Sequence, residues 1–299
     1  MGQRRRPNTP RPPPDGHTSL SPRVLEPWSN MSDRPGPSRI HLTSLTDVLN
    51  QRVKVLFPGF ESNSTSCTRG GVTTVRTEQL FRTLTEDYHR NKHVEHTIVK
   101  SAWYCKQERS VGHEFIILQV EDTLLPNGML TNYVVLDRCK GVPQRPRFFS
   151  KLVPRFLRVA AMDIFRVSND GNLVRLVEGC DLAPYKYLEQ ITFESNKPLR
   201  LYELATLASH VSDLHPKYNV TDTNSYWFAG LIWECMIKMR TSAKYINATP
   251  NKRGRIRWIR YTQNPIQVKR VCKQVREHIS KVRKNLPTQE ADSRIVGVD

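Results

Sequence analysis

Hydrophobic and polar positions follow two spacings along this chain. The run HEFIILQVE from His113 to Glu121, with Phe115, Ile116, Ile117, Leu118 and Val120 apolar, predicts a strand. Pro126-Asn127-Gly128 is a turn signal, and NYVVLDR from Asn132 to Arg138 predicts the returning strand of a hairpin. Thr97 to Cys105 reads as a further strand. Phe156 to Ser168 and Leu173 to Val177, split at Asn169-Asp170-Gly171, read as two more, and Ile191 to Phe193 as a short one.

Helical spacing appears elsewhere. Ile40 to Phe57 places Leu45, Val48, Leu49 and Val53 near one face and ends at Pro58-Gly59. After a Ser/Thr/Gly-rich loop at 61–74, Thr77 starts a helix to His89 with Leu80, Phe81, Leu84 and Tyr88 together. Leu199 to Leu214 carries Leu201, Leu204, Ala205, Leu207, Ala208 and Val211, and stops at His215-Pro216. Asp222-Thr223-Asn224 are good cap residues for a helix to Met239, with Phe228, Leu231, Ile232, Cys235 and Met239 inward. Asn264-Pro265 opens a last helix to about Lys284. The pattern predicts an α+β fold: a small antiparallel sheet packed with helices at 75–240. Before it come a disordered Pro/Arg-rich arm (1–39) and a short helix with loop (40–74). After it come a basic extension with an amphipathic helix (241–284) and a flexible tail (285–299).

Charge is unevenly placed. The 299 residues hold 46 Lys and Arg against 28 acids, a formal charge of +18. Residues 40–237 are nearly balanced, with 23 cations and 21 acids, whereas 238–284 hold 15 cations and one acid, Glu277. The arm holds nine of the 20 prolines and little that could nucleate a core. No apolar run approaches the ~18 residues of a membrane helix. The N-terminus is charged with no apolar stretch after it, so it does not read as a secretory signal. Gly2 makes no myristoylation motif, because Arg6 stands where Ser or Thr is required. The cysteines, Cys67, Cys105, Cys139, Cys180, Cys235 and Cys272, form no CxxC pair. They read as reduced thiols of a cytoplasmic or nuclear protein.

Three features carry candidate chemistry. His113 begins the first hairpin strand, and Asp137 lies near the end of the second, opposite roughly 113 to 116. Ser225 stands in the first turn of the helix that opens Asn224-Ser225-Tyr226-Trp227-Phe228. A nucleophile at a helix start, a histidine on a neighbouring strand and a polar orienter make a thiol-protease layout. The stretches His113-Glu114-Phe115, Leu136-Asp137-Arg138 and Asn224-Ser225-x-x-Phe228 resemble the circularly permuted papain-like domains of the lecithin retinol acyltransferase and NlpC types, over roughly 95–240. The chain is also similar to uncharacterised fungal proteins with an Asn-Cys-Tyr-Trp-Phe-Ala motif. The resemblance implies Ser225 at the nucleophile position, His113 as base and Asp137 as orienter. The chain departs from the pattern where it expects cysteine. A serine hydroxyl stays protonated until attack, so a site tuned for a thiolate–imidazolium pair is not automatically tuned for it. Simpler readings stand beside these: His113 as an ordinary strand-end residue, Asp137-Arg138 as a surface salt bridge, Ser225 as a cap, and Trp227, Phe228 and Trp233 as core.

His89, His93 and His96 recur at helical spacing, but nothing else supports a metal site, and no cofactor is implied. Cys105, His113 and Cys139 could meet at one end of the hairpin. The basic segment mixes cations with aromatics at Lys252, Arg253, Arg255, Arg257, Trp258 and Arg260, which suits phosphate contact and base stacking. The last helix surrounds a stripe of Val268, Val271, Cys272, Val275, Ile279 and Val282 with Lys269, Arg270 and Lys273 among its cations. It serves nucleic acid, an anionic surface or a protein partner, or simply packs its stripe on the domain. The leading functional expectation is a degenerate thiol-hydrolase or acyltransferase-like domain that binds or regulates through a protein or small-molecule ligand. The alternatives are an active serine-dependent hydrolase or acyltransferase on an ester, thioester or amide, and a nucleic-acid-associated protein acting through 238–284.

Overall fold

The computed structural model describes residues 56–57, 71–87, 94–109, 112–123, 130–141, 159–219, 223–256 and 259–285. The expected arm, nearly all of the expected helix at 40–57, the hairpin turn and the tail after 285 lie outside the described residues.

The described residues form an α+β fold around one antiparallel sheet. Its strands are β1 (Val72–Arg76), β2 (Thr97–Gln107), β3 (Glu114–Asp122), β4 (Thr131–Lys140), β5 (Val159–Ser168), β6 (Tyr185–Thr192), β7 (Leu199–Arg200), β8 (Lys217–Tyr218) and β9 (Lys244–Asn247). The order is β1-β5-β4-β3-β2-β6-β9, with β7 beside β2 and β8 beside β5. The two-residue strands β10 (Arg255–Ile256) and β11 (Ile259–Arg260) pair separately. Helices α1 (Thr77–Arg82, continued by a π-turn at Thr83–Asp87), α2 (Leu173–Gly179), α3 (Leu201–Leu214), α4 (Ser225–Met239) and α5 (Pro265–Asn285) complete the fold.

The central hairpin is buried on both faces because its residues are apolar at odd and even positions alike. Ile116, Leu118 and Val120 of β3 and Val134 and Leu136 of β4 join α3, α4 and α5 in the larger core. Phe115, Ile117 and Val135 face the other way, against Leu176 and Val177 of α2. This division by parity decides the site.

Three sequence expectations change. Leu173–Gly179 is a helix rather than a strand. The Asn172 side chain accepts from the Arg175 amide at 3.0 Å, capping a turn that brings Leu176 and Val177 together onto the sheet. The sheet also begins earlier, at β1, whose VTTVR pairs with β5. Its polar threonines and single buried valine, Val75, look like loop in sequence.

The third change concerns the basic extension. Val268, Val271, Cys272, Val275, Ile279 and Val282 of α5 lie buried in the same core as α3 and α4. Burying each aliphatic side chain contributes roughly 1.5–3 kcal/mol. Glu203 of α3 fastens both ends of this packing: Arg240, just after α4, and Arg283 of α5 each pair with its buried carboxylate, the latter at 2.9 Å. Residue 240 is therefore not a domain boundary, and α5 packs its stripe on the domain.

Candidate functional site

The β3–β4 register pairs Ile116 with Leu136, so Asp137 lies opposite Phe115 and on its face of the sheet. His113, immediately before β3, reaches the same face, with its ring stacked 6.4 Å from that of Phe115. His113 Nε2 and Asp137 Oδ1 are hydrogen-bonded. An ionised carboxylate only accepts, so Nε2 is the donor. Arg166 of β5 secures the other oxygen, with Nη2 at 3.2 Å from Asp137 Oδ2, and its Nη1 donates to the Cys180 carbonyl at 3.1 Å. Asp137 is 2% exposed, whereas the His113 side chain is 23% exposed and reaches the surface.

Two thiols border this chain of groups. Cys139, two residues beyond Asp137, is pushed up to about 11 by burial, reinforced by the Asp137 charge, with Arg166 opposing. Cys180 is also raised by burial. Both stay protonated at neutral pH, so neither is an activated nucleophile. Cys105 is buried in the smaller core.

Ser225 meets the chain at the residue after His113. Asn224 caps α4, its side chain accepting from the Trp227 amide at 3.2 Å, and Ser225 is the first helical residue. The Ser225 hydroxyl accepts from the Glu114 amide at 3.5 Å, and the residue is 2% exposed. The Tyr218 hydroxyl also sits against the Ser225 backbone, and burial raises its pKa. Among the described residues, no hydrogen bond joins Ser225 to His113. The Glu114 side chain, on the α4 face, meets the Tyr104 hydroxyl, Lys106 Nζ at 3.3 Å and the Gly254 amide at 2.9 Å. Burial pushes this carboxyl up to about 6, against the lowering effect of those partners.

Arg138 shares the α4 face. Its guanidinium lies 5.0 Å from the Trp227 ring and 5.5 Å from the Phe228 ring, and Nη1 donates to Asp163 Oδ2 at 3.2 Å. Burial pushes Asp163 up to about 6 despite that partner. Asp137-Arg138 is thus not a surface salt bridge: both residues are buried, and each pairs elsewhere. Trp227, Phe228 and Trp233 are core.

No protein-family model, curated protein or solved structure matches the chain.

The basic residues divide. Arg253 is paired with two acids: its Nε lies 3.2 Å from Glu189 Oε1 and its Nη2 pairs with Glu234, while its buried Nη1 has no hydrogen-bond partner among the described residues. It lines a cavity of about 410 Å³ together with Tyr104, Glu189, Tyr226, Arg260 and Gln263. Lys252, Arg255 and Arg260 are exposed, and Arg257 and Trp258 lie outside the described residues. Lys269, Arg270 and Lys273 are exposed on the outer face of α5. Of the three histidines at helical spacing, His96 stands in a 3-10 turn with Nδ1 3.3 Å from Thr123 Oγ1, and His89 and His93 lie outside the described residues. Among the described residues no group of three His, Cys, Asp or Glu could hold a metal, and no helix is long and apolar enough to cross a membrane.

Sequence reasoning missed Arg166, Glu114 and Tyr218. The signal for Arg166 was a single cation in an apolar strand, two residues from the turn Asn169-Asp170-Gly171. Glu114 lay inside the quoted HEF motif, and only strand parity assigns it to α4.

Proposed function

We propose that this chain is a non-catalytic α+β domain in which the residue layout of a thiol hydrolase or acyltransferase serves binding or regulation. The observation that carries this reading is the Ser225 hydroxyl, buried and engaged by the Glu114 amide, with no hydrogen bond to His113 among the described residues. A serine nucleophile requires a general base within about 2.6–3.2 Å or one water away. A helix N-terminus favours an anion nearby but leaves a hydroxyl protonated at neutral pH. His113, Asp137 and Arg166 then form a rigid, partly exposed polar edge suited to holding a ligand. The five described cysteines are all free thiols, which supports a cytoplasmic or nuclear setting.

A broad fluorophosphonate reagent tests the reading. The expected result is no adduct at Ser225, the native chain behaving like Ser225→Ala. Labelling of Ser225 that disappears in His113→Ala would establish the serine-dependent hydrolase or acyltransferase instead.

One observation favours a second activity on the same scaffold. Lys269, Arg270 and Lys273 are exposed together on one helix whose opposite side is fixed in the core, which presents a rigid cationic face. Such a face suits the phosphates of a nucleic acid. Binding of random-sequence nucleic acid should weaken steeply with salt, and Lys269→Glu with Lys273→Glu should reduce both the affinity and the salt slope.

A further inference from the structure

Cys235 of α4 and Cys272 of α5 meet across the packed helices. Cys235 Sγ lies 3.9 Å from the Val268 carbonyl, and Cys272 Sγ lies 4.0 Å from the Cys235 carbonyl. Their surroundings differ. Both are buried, but Cys235 is enclosed in the core, whereas Cys272, 3% exposed, forms part of the floor of an open groove of about 720 Å³ between the end of α4 and α5. Lys238, Lys269, Arg270, Lys273 and Arg276 line the groove against one acid, Glu277, and Ile266 supplies an exposed apolar wall.

We propose that Cys272 is a modification site for small anionic disulfides, drawn by this ring of cations, with Cys235 as its resolving thiol. This goes beyond the proposed function and does not depend on it. The neighbouring Cys235 and the charges of Arg276 and Lys238 lower the pKa of Cys272, whereas the neighbouring Cys272 and burial raise that of Cys235. Cys272, the one of the two that lines the groove, is therefore the attacking thiolate. It attacks one sulfur of the reagent, the reagent's S–S bond breaks, and one thiolate leaves as a mixed disulfide forms on Cys272. Cys235 gives up its proton and attacks the Cys272 sulfur, and the second half of the reagent leaves as thiolate. The two protein thiols are oxidised by two electrons, the reagent disulfide is reduced to two thiols, and the protons of the dithiol pass to those products. The product disulfide would pin α5 to α4.

Dithiobis(nitrobenzoate), a dianionic disulfide, is the probe, used on the full chain in a Cys67→Ser background because Cys67 lies outside the described residues. The expected result is a fast phase at pH 7 that releases two equivalents of thionitrobenzoate and leaves a Cys235–Cys272 disulfide in the peptide map. In Cys235→Ser the fast phase should release one equivalent and leave a stable adduct on Cys272. Lys269→Glu with Lys273→Glu should slow that phase about tenfold while leaving the rate with a neutral dipyridyl disulfide unchanged. The proposal is overturned if Cys139 or Cys180 is labelled before Cys272, if Cys235→Ser still releases two equivalents in that phase, or if charge reversal slows both reagents alike. Peptide mapping of the chain with both cysteines intact keeps the test decisive if Cys235→Ser does not fold.

Discussion

Asp137 and Arg138 are neighbours in sequence and point to opposite faces of the sheet. Asp137 meets His113 and Arg166 on the side of α2, and Arg138 meets Asp163 and the Trp227 ring on the side of α4. One strand therefore carries two separate buried ion pairs. Successive side chains of a strand alternate between faces, so neighbouring residues of one strand serve the two cores separately.

The Arg138–Asp163 pair is expected to matter most when half of it is removed. Arg138→Ala strands a buried carboxylate, which costs about 3–5 kcal/mol, whereas Arg138→Met with Asp163→Leu leaves no charge behind and should cost much less. Urea unfolding of the two variants measures the difference. Equal losses would show that packing, not charge, holds this site.

The pH dependence of stability has a defined sign. The folded Glu114 carboxyl titrates near 6 and the unfolded one near 4.5, so the folded state binds the proton more tightly. Below pH 4.5 both states are protonated and burial carries no charge cost. As pH rises through 4.5–6, stability should fall by on the order of 2 kcal/mol from this residue. Glu114→Gln should remove that part of the slope. A native and a Glu114→Gln curve that run parallel across this window would show that Glu114 keeps an ordinary carboxylate pKa.

Ser225→Cys is a direct test of whether Ser225 and His113 act as a pair. The new thiol would meet the Glu114 amide and the start of α4, where the native hydroxyl makes no hydrogen bond to the His113 ring among the described residues. It should react with iodoacetamide at pH 6.5 no faster than an ordinary exposed thiol, and His113→Ala should not alter the rate. Fast labelling that requires His113 would restore a catalytic pairing.

Truncation after residue 240 should abolish cooperative unfolding in a circular-dichroism melt, because it uncovers the core faces of α3 and α4. Val271→Ala and Val275→Ala should each cost about 2 kcal/mol. A truncated chain that melts cooperatively near the native temperature would mean that α5 is an attached element rather than part of the core.

Periodicity alone determined the hairpin, the helices around Leu207 and Leu231, and the amphipathic stripe of the last helix, because each is a long run with one dominant spacing. Composition determined that the charge excess sits beyond residue 238. The HEF and NSYWF stretches determined which residues deserved testing, and the hairpin register brought His113 near Asp137. Tertiary structure alone decided the rest. The short segment at Leu173 became a helix through one cap bond from Asn172. The polar strand at Val72 formed because β5 offered it an edge. Arg253 was withdrawn from the basic surface by Glu189 and Glu234, which are far from it in sequence. Above all, the Ser225 hydroxyl is taken up by the Glu114 amide and makes no hydrogen bond to His113 among the described residues. Motif spacing does not encode which partner a buried hydroxyl will find.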